Sequence, residues 1–328
     1  MRDVARVAGV SHQTVSRVLN GHPSIRESTR ERVLQAMDEL RYRPNRAARA
    51  LVTARSHTIG VLSVSAAALY GPVSSIGAIQ DAARDAGYYV SVAQLTDLSA
   101  ASIDAGLEHL LAQAVEGLVV IAPQSKVLDE IGARGLDLPY VTLQGGAGHA
   151  RTELSVDQVG GARTATRHLV ALGHRRIVHL SGPLDWVEAQ ARRRGFEDEL
   201  RASGLEVLPS PHGDWSAAFG YRAGLELLDD ESVTAVFASN DQMALGLMHA
   251  AHERGRGLPA DLSVVGFDDI PEAAHFWPPL TTIRQDFTEL GRRTVGRLVA
   301  EIEGRAEESL GNIQPELIVR GSTATPRH

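Results

Sequence analysis

Residue types that carry enzymatic or metal chemistry are present in this chain, but not in the arrangements such chemistry needs. There is no cysteine, which excludes disulfides and thiolate ligands. The 13 histidines are scattered, and no His-Glu-x-x-His pair, no Gly-x-x-x-x-Gly-Lys loop and no Gly-x-Gly-x-x-Gly after a strand occurs. Gly145-Gly146-Ala147-Gly148 has the composition of a phosphate loop without its spacing and reads as a turn. His168 and His174, on and just after one helical segment, read as surface or packing residues. The chemistry that stands out is charge. Residues 1–57 hold 11 Arg against 5 acidic residues, a net of +6, whereas residues 58–328 carry 22 basic and 35 acidic residues, a net of −13. Clustered guanidinium groups suit phosphate, and an acidic body repels the same polyanion. Chance clustering is the alternative, and composition favours nucleic acid as the partner.

The elements that must position this charge are short helices. Val4, Ala5, Val7 and Ala8 recur at helical spacing up to Gly9. Ser11 then opens a second helix, His12 to Asn20, with Val15, Val18 and Leu19 inward. Its hydroxyl can accept an orphaned backbone N–H. Two helices cross tightly where the turn residue tolerates φ > 0 and the contact side chain is small, which Gly9 and Ala5 satisfy. Ala5, Gly9 and Val15 thus have helix-turn-helix spacing, although any small helical hairpin could show it. A third helix is expected over Glu27–Leu40 with Val33, Leu34, Met37 and Leu40 inward. The basic, Ala-rich stretch from Tyr42 through Pro44 to Leu51 suits a marginal helix of about two turns, too short to repay nucleation alone.

Asp3-Val4-Ala5, Gly9-Val10-Ser11 through Asn20, and Tyr42-Arg43-Pro44-Asn45 resemble the DNA-binding head of the lac repressor family. The resemblance implies that the second helix enters the major groove and that the segment after Pro44-Asn45 becomes a hinge helix on DNA. By position, His12, Gln13 and Arg17 are then the base readers. Gln pairs bidentately with adenine and Arg with guanine. Ser11, Thr14, Ser16, Asn20 and Thr29 are placed for phosphates, which position without specifying. Asn45, Ala48 and Leu51 are the minor-groove hinge residues; Leu51 either wedges between base steps or packs on the core or the partner hinge. The domains expected are a head over 1–44, a hinge over 45–57 and a core over 58–328.

From Thr58 onward, β-branched runs at 59–64, 89–93, 117–122, 140–143, 177–180, 235–238 and 263–267 alternate with helical periods. The expected helices are 72–86, 102–113, 126–134, 160–172, 186–203, 217–228, 241–254 and 288–303. Such alternation predicts right-handed βαβ units in parallel sheets covered on both faces, with ligands at the carboxyl ends of strands. The fold class is therefore an all-α head plus an α/β core of two doubly wound lobes.

Core motifs extend the resemblance across almost the whole chain: Leu69-Tyr70-Gly71-Pro72, Gly182-Pro183-Leu184, Gly213-Asp214-Trp215-Ser216, Asn240-Asp241-Gln242-Met243 and Pro278-Pro279-Leu280-Thr281-Thr282. They imply a sugar cleft. Arg192, Asn240, Asp268 and Gln285 supply planar polar groups for hydroxyls, Trp215 and Phe287 an aromatic face, and Ser65, Leu69 and Pro72 one wall. Asp268 could instead cap a helix, and Trp215 or Phe287 could be ordinary packing. Gln144 and Ser155 depart from the family pattern, which leaves the sugar open.

Leu245, Met248, Phe276 and Trp277 fall where the family forms its subunit contact, or alternatively in the core. The end of the chain has no Leu-rich heptads, so dimers without tetramers joined by such a helix are expected. The function implied is a sequence-specific repressor on a pseudo-palindromic operator, released by a galactoside-like sugar or dependent on a co-repressor. A homodimer, not an enzyme, with no cofactor and no metal, is expected. A periplasmic sugar-binding protein would need an export signal, and a sugar-processing enzyme would need the absent motifs. No apolar run reaches the ~18 residues of a membrane span, so a cytoplasmic location is expected.

Overall fold

A computed structural model of the chain describes residues 1–19, 22–43, 55–64, 69–122, 124–143, 153–305 and 311–327, which divide into two compact units, Met1–His57 and Thr58–His328. The expected hinge residues Asn45, Ala48 and Leu51 lie outside the described residues, as do Asn20, Ser65, Gln144 and 145–148.

Among its described residues the first unit has three helices, α1 (Arg2–Ala8), α2 (His12–Leu19) and α3 (Glu27–Glu39). Val4, Ala5, Ala8, Val15, Val18, Val33 and Ala36 form its core. Gly9 ends α1 at φ 63°, and its N–H reaches back to the carbonyls of Ala5 and Arg6. That left-handed conformation is nearly free only for glycine. The Ser11 hydroxyl accepts the Thr14 N–H at 3.1 Å and so starts α2. The inner face of α3 differs from expectation. Leu34 is 51% and Leu40 40% exposed, while Ala36 is buried beside Val33 and partly buried Met37. Leu34 lies about 100° round the helix from Val33, and Leu40 falls beyond the last turn, where helical periodicity no longer holds.

In the second unit, β1 (Thr58–Val64), α4 (Tyr70–Asp85), β2 (Tyr89–Leu95), α5 (Ala100–Leu111), β3 (Gly117–Ile121), α6 (Ser125–Ala133), β4 (Tyr140–Leu143) and β5 (Glu153–Leu154) build the first lobe. Its sheet is wholly parallel in the order β2-β1-β3-β4-β5. The second lobe comprises α7 (Gln158–Ala171), β6 (Ile177–Leu180), α8 (Val187–Ala202), α9 (Ala217–Leu227), β7 (Ala235–Ala238), α10 (Asp241–Glu253), β8 (Ser263–Asp268), a 3-10 turn at Pro271–His275 and β9 (Thr281–Arg284). After α11 (Phe287–Ile302), β10 (Glu316–Ile318) closes that sheet as an antiparallel edge, in the order β10-β9-β8-β7-β6.

The two doubly wound lobes match the expected class. Three strands escaped the sequence reading: β5, β9 and β10 are two to four residues long and owe their extended form to hydrogen bonds from neighbours. Helix α11 follows a second-lobe strand yet packs on the first, with Leu290, Val295 and Leu298 against Ile59, Ile79 and Val119. The chain therefore passes between the lobes at 155–157, at 285–286 and between α11 and β10. The first and third passages pair through a parallel bridge of Val156 with Ile313, where the Asp157 N–H donates to the Ile313 carbonyl at 2.8 Å.

Candidate functional site

On the first unit, His12, Gln13 and Arg17 are all exposed on α2 and hold no side-chain hydrogen bond among the described residues. Ser11 and Thr14 hydroxyls bond each other at 2.9 Å at the start of the same helix. Ser16 and Thr29 are half-buried. Because α2 is anchored by Val15 and Val18, its outward residues are donors on a rigid support rather than on a mobile arm.

In the second unit, a narrow cleft of about 40 Å³ lies between the lobes. Leu69, Tyr70, Gly71 and Pro72, at the start of α4, form one wall, and Trp186, Glu188, Arg192, Trp215, Asn240, Asp268 and Gln285 the other. Asn240 follows β7 and Asp268 ends β8, so both stand at carboxyl ends of strands, where an open α/β sheet receives ligands. Asn240 Oδ1 caps α10 by accepting the Met243 N–H at 2.9 Å, and its Nδ2 donates to the Trp215 carbonyl at 3.0 Å.

Four buried side chains make a closed ring. Arg192 Nε donates to Gln158 Oε1 at 2.8 Å, Gln158 Nε2 to Gln285 Oε1 at 2.7 Å, and Gln285 Nε2 to Asp268 Oδ1 at 2.7 Å. Arg192 Nη2 closes it, 3.5 Å from Asp268 Oδ1. Arg192 Nη1 also donates to the Ser239 carbonyl, and its guanidinium lies over the Phe267 ring at 3.8 Å. These partners fix its orientation.

Burial dominates the electrostatics. It raises Asp268 to about 6 even though Arg192 and Gln285 favour the carboxylate, because one ion partner at 3.5 Å does not replace lost hydration. Glu188 is pushed to about 7, again mainly by burial. Behind them Asp241 is held well above the usual carboxylate range by burial and by Asp268, while accepting the Thr282 hydroxyl at 2.6 Å and the Ile270 N–H at 2.9 Å. Three non-glycine residues at this wall have positive φ: Trp215 at 68°, Asp268 at 108° and Asp269 at 54°. Such conformations persist only where surroundings over-determine them. Arg284 and Arg320 pin Asp269 at 2.7 and 2.6 Å. Gly182 lies so close under the Trp215 indole that a Cβ there would sit 2.2 Å from the ring.

Of the predicted ligand residues, the cleft gathers Leu69, Pro72, Arg192, Trp215, Asn240, Asp268 and Gln285. Phe287 is a correction: it is buried in the first-lobe core, edge-on to Tyr70 at 5.8 Å, and borders a different depression of about 610 Å³. As the first residue of α11 it follows that helix onto the first lobe, so its ring stands behind Tyr70 instead of in the cleft. Ser155 is also outside the cleft lining, its hydroxyl donating to Asn312 at 3.1 Å. Sequence reasoning missed Gln158, Tyr70, Trp186 and Glu188. The spacing of Glu188 and Arg192, four residues apart on α8, was the available signal. It was obscured by the arginine run 192–194, typical of a solvated face.

His168 and His174 are packing residues, bonded to Thr323 at 3.0 Å and to Thr234 at 2.9 Å. Leu245, Met248, Phe276 and Trp277 come together around a surface depression of about 600 Å³ with Pro278 and Pro279. Met248 and Phe276 are largely buried in the second-lobe core, whereas Trp277 is 93% exposed. Among the described residues no helix is long and apolar enough to cross a membrane, and no group of three His, Asp or Glu is placed to hold a metal ion.

Two family models match the chain. Residues 1–45 match "Bacterial regulatory proteins, lacI family", and residues 166–323 match "Periplasmic binding protein-like domain". The chain is 38% identical to the lactose operon repressor of Escherichia coli (strain K12), covering 99% of this chain and 90% of that protein. It is 36% identical to the transcriptional regulator CelR of Thermobifida fusca over 97% of this chain and 96% of that one. Among solved structures, the lac repressor bound to ONPG in a repressed state superposes with a TM-score of 0.86 at 37% identity, covering 98% of each chain. A CelR–cellobiose complex superposes with a TM-score of 0.72 at 32% identity, again covering 98% of each chain. With its head, its two-lobed core and relatives along its full length, the chain belongs to the lacI family of bacterial regulatory proteins.

Proposed function

We propose that this protein is a cytoplasmic, homodimeric transcriptional repressor whose affinity for a pseudo-palindromic operator is lowered by a galactoside-like sugar held between its lobes. It is a regulator and catalyses nothing. The observation that carries the sugar half is the closed ring of Arg192, Gln158, Gln285 and Asp268, a rigid and buried polar set beside two indoles. On the DNA half, His12, Gln13 and Arg17 read base edges, with Ser11, Thr14, Ser16, Asn20 and Thr29 on phosphates and Asn45, Ala48 and Leu51 in the minor groove. Half-sites about one helical turn apart then match the two-fold of the dimer. The apolar surface around Leu245, Met248, Phe276 and Trp277 supports the dimer.

Gln158 and Gln285 adjoin two of these passages between lobes. A sugar drawing Arg192 and Asp268 toward the α4 wall biases the lobes to one closure state, and a dimer transmits that bias to the paired heads. Couplings of this kind amount to about 1–3 kcal/mol. The test is to select duplexes from a random pool with the full chain, then titrate the best palindrome with and without lactose, a thiogalactoside and cellobiose. Weaker operator binding with one of them is expected. Tighter binding would mark a co-repressor, unchanged affinity would remove the sugar half, and no preference for any palindrome would remove the DNA half.

A further inference from the structure

Among the described residues of the cleft, Trp215 through its Nε1 and Glu188 through its Oε2 each have a buried polar atom that no hydrogen bond reaches, and of the two Glu188 is the acceptor. It lines the cavity, it is 7% exposed, and its Oε2 is buried with no hydrogen-bond partner. A carboxylate oxygen in that state is costly unless something supplies a donor. The residues around it do not: Arg192 is engaged by Gln158, Ser239 and Asp268. Among the described residues lining the cleft, ionised Glu188 and Asp268 would face Arg192 as the one cation, a surplus of negative charge that favours hydroxyl or ammonium donors and repels phosphates and sugar acids.

Position along the helix gives the second observation. Glu188 precedes Arg192 by four residues on α8, so the two lie on one face about 6 Å apart along the axis. Trp186 caps the same helix and also lines the cavity, its ring 5.5 Å from that of Trp215 and inclined at 66°. The cleft thus repeats its own pattern one helical turn away: a charged hydrogen-bonding group with an indole beside it, twice.

We propose that Glu188 and Trp186 form a second saccharide subsite next to that of Arg192, Asp268 and Trp215, so that the effector is a neutral sugar of two rings whose second ring donates a hydroxyl to Glu188 Oε2. This rests on the cleft being the effector site. Calorimetric titration of the full chain with cellobiose, lactose, glucose, galactose and glucose 6-phosphate tests it, alongside Glu188→Gln, Glu188→Ala, Trp186→Ala and Asp268→Asn variants whose circular dichroism matches the parent. One disaccharide is expected to bind at least tenfold tighter than either monosaccharide. Glu188→Ala and Trp186→Ala should each remove most of that advantage. A disaccharide lost in Asp268→Asn but unaffected by both Glu188 variants overturns the subsite and leaves the cleft reading intact. Tightest binding of glucose 6-phosphate overturns the neutral-sugar assignment. A parent chain that binds none of the five overturns both readings.

Discussion

Gln158 and Gln285, 127 residues apart in sequence, hydrogen-bond at 2.7 Å at the point where two passages of the chain run between the lobes. Each also holds a charged member of the cleft, Gln158 through Arg192 and Gln285 through Asp268. Two charged groups of the cleft are thereby held by side chains that adjoin segments joining the lobes. Gln158→Leu would orphan Arg192 Nε and Gln285 Oε1 at about 1–3 kcal/mol each, so the urea midpoint should fall clearly. A midpoint equal to the parent's would show that water replaces the amide without loss.

Glu188 makes the pH dependence specific. Its ordinary value of 4.5 is raised to about 7 in the folded chain. The folded state therefore binds more protons between those values, and the contribution of this group is full below pH 4.5 and lost as pH rises through 7. Since one unit is worth 1.36 kcal/mol, Glu188→Gln should be more stable than the parent by about 3 kcal/mol at pH 8 and equal to it at pH 4. Parallel thermal melts across that range, differing by the same amount throughout, would show the carboxyl to be freely hydrated.

Arg17 is exposed on α2 with no intramolecular side-chain bond among the described residues, so Arg17→Ala should leave the head folded. Discrimination should relax by about 1–3 kcal/mol at one operator position in each half-site. Competition binding with singly substituted operators measures this, and uniform weakening over all positions would reassign Arg17 to phosphate.

Gly9 takes φ 63° between α1 and α2. A β-branched side chain there is strained by roughly 1–2 kcal/mol, so Gly9→Val should lower the melting temperature of the head and weaken DNA binding together. Normal melting with lost DNA binding would place the fault at the interface instead.

Trp277 exposes 93% of its surface beside Pro278 and Pro279. An indole central to a subunit contact carries about 2 kcal/mol or more, so Trp277→Ser should raise the dimer dissociation constant roughly 30-fold in sedimentation equilibrium. No change would move the contact elsewhere.

Patterns with a physical period were legible from the sequence alone. The βαβ alternation, the glycine turn at Gly9 with its Ser11 cap, and the positively charged first 57 residues all follow from backbone sterics, side-chain spacing and net charge, which are local properties. The family motifs also named Arg192, Asp268 and Gln285, three residues that line one cleft. What only the tertiary structure decided were facts that depend on which distant segment covers a residue. Phe287 belongs to the core because α11 returns to the first lobe. Leu34 is outside because the neighbours in space cover the helix face of Val33 and Ala36, about 100° or more away from it. Glu188 could pass for a solvated acid in an arginine-rich stretch until the fold closed over it, since desolvation is set by neighbours far along the chain and leaves no mark on local spacing.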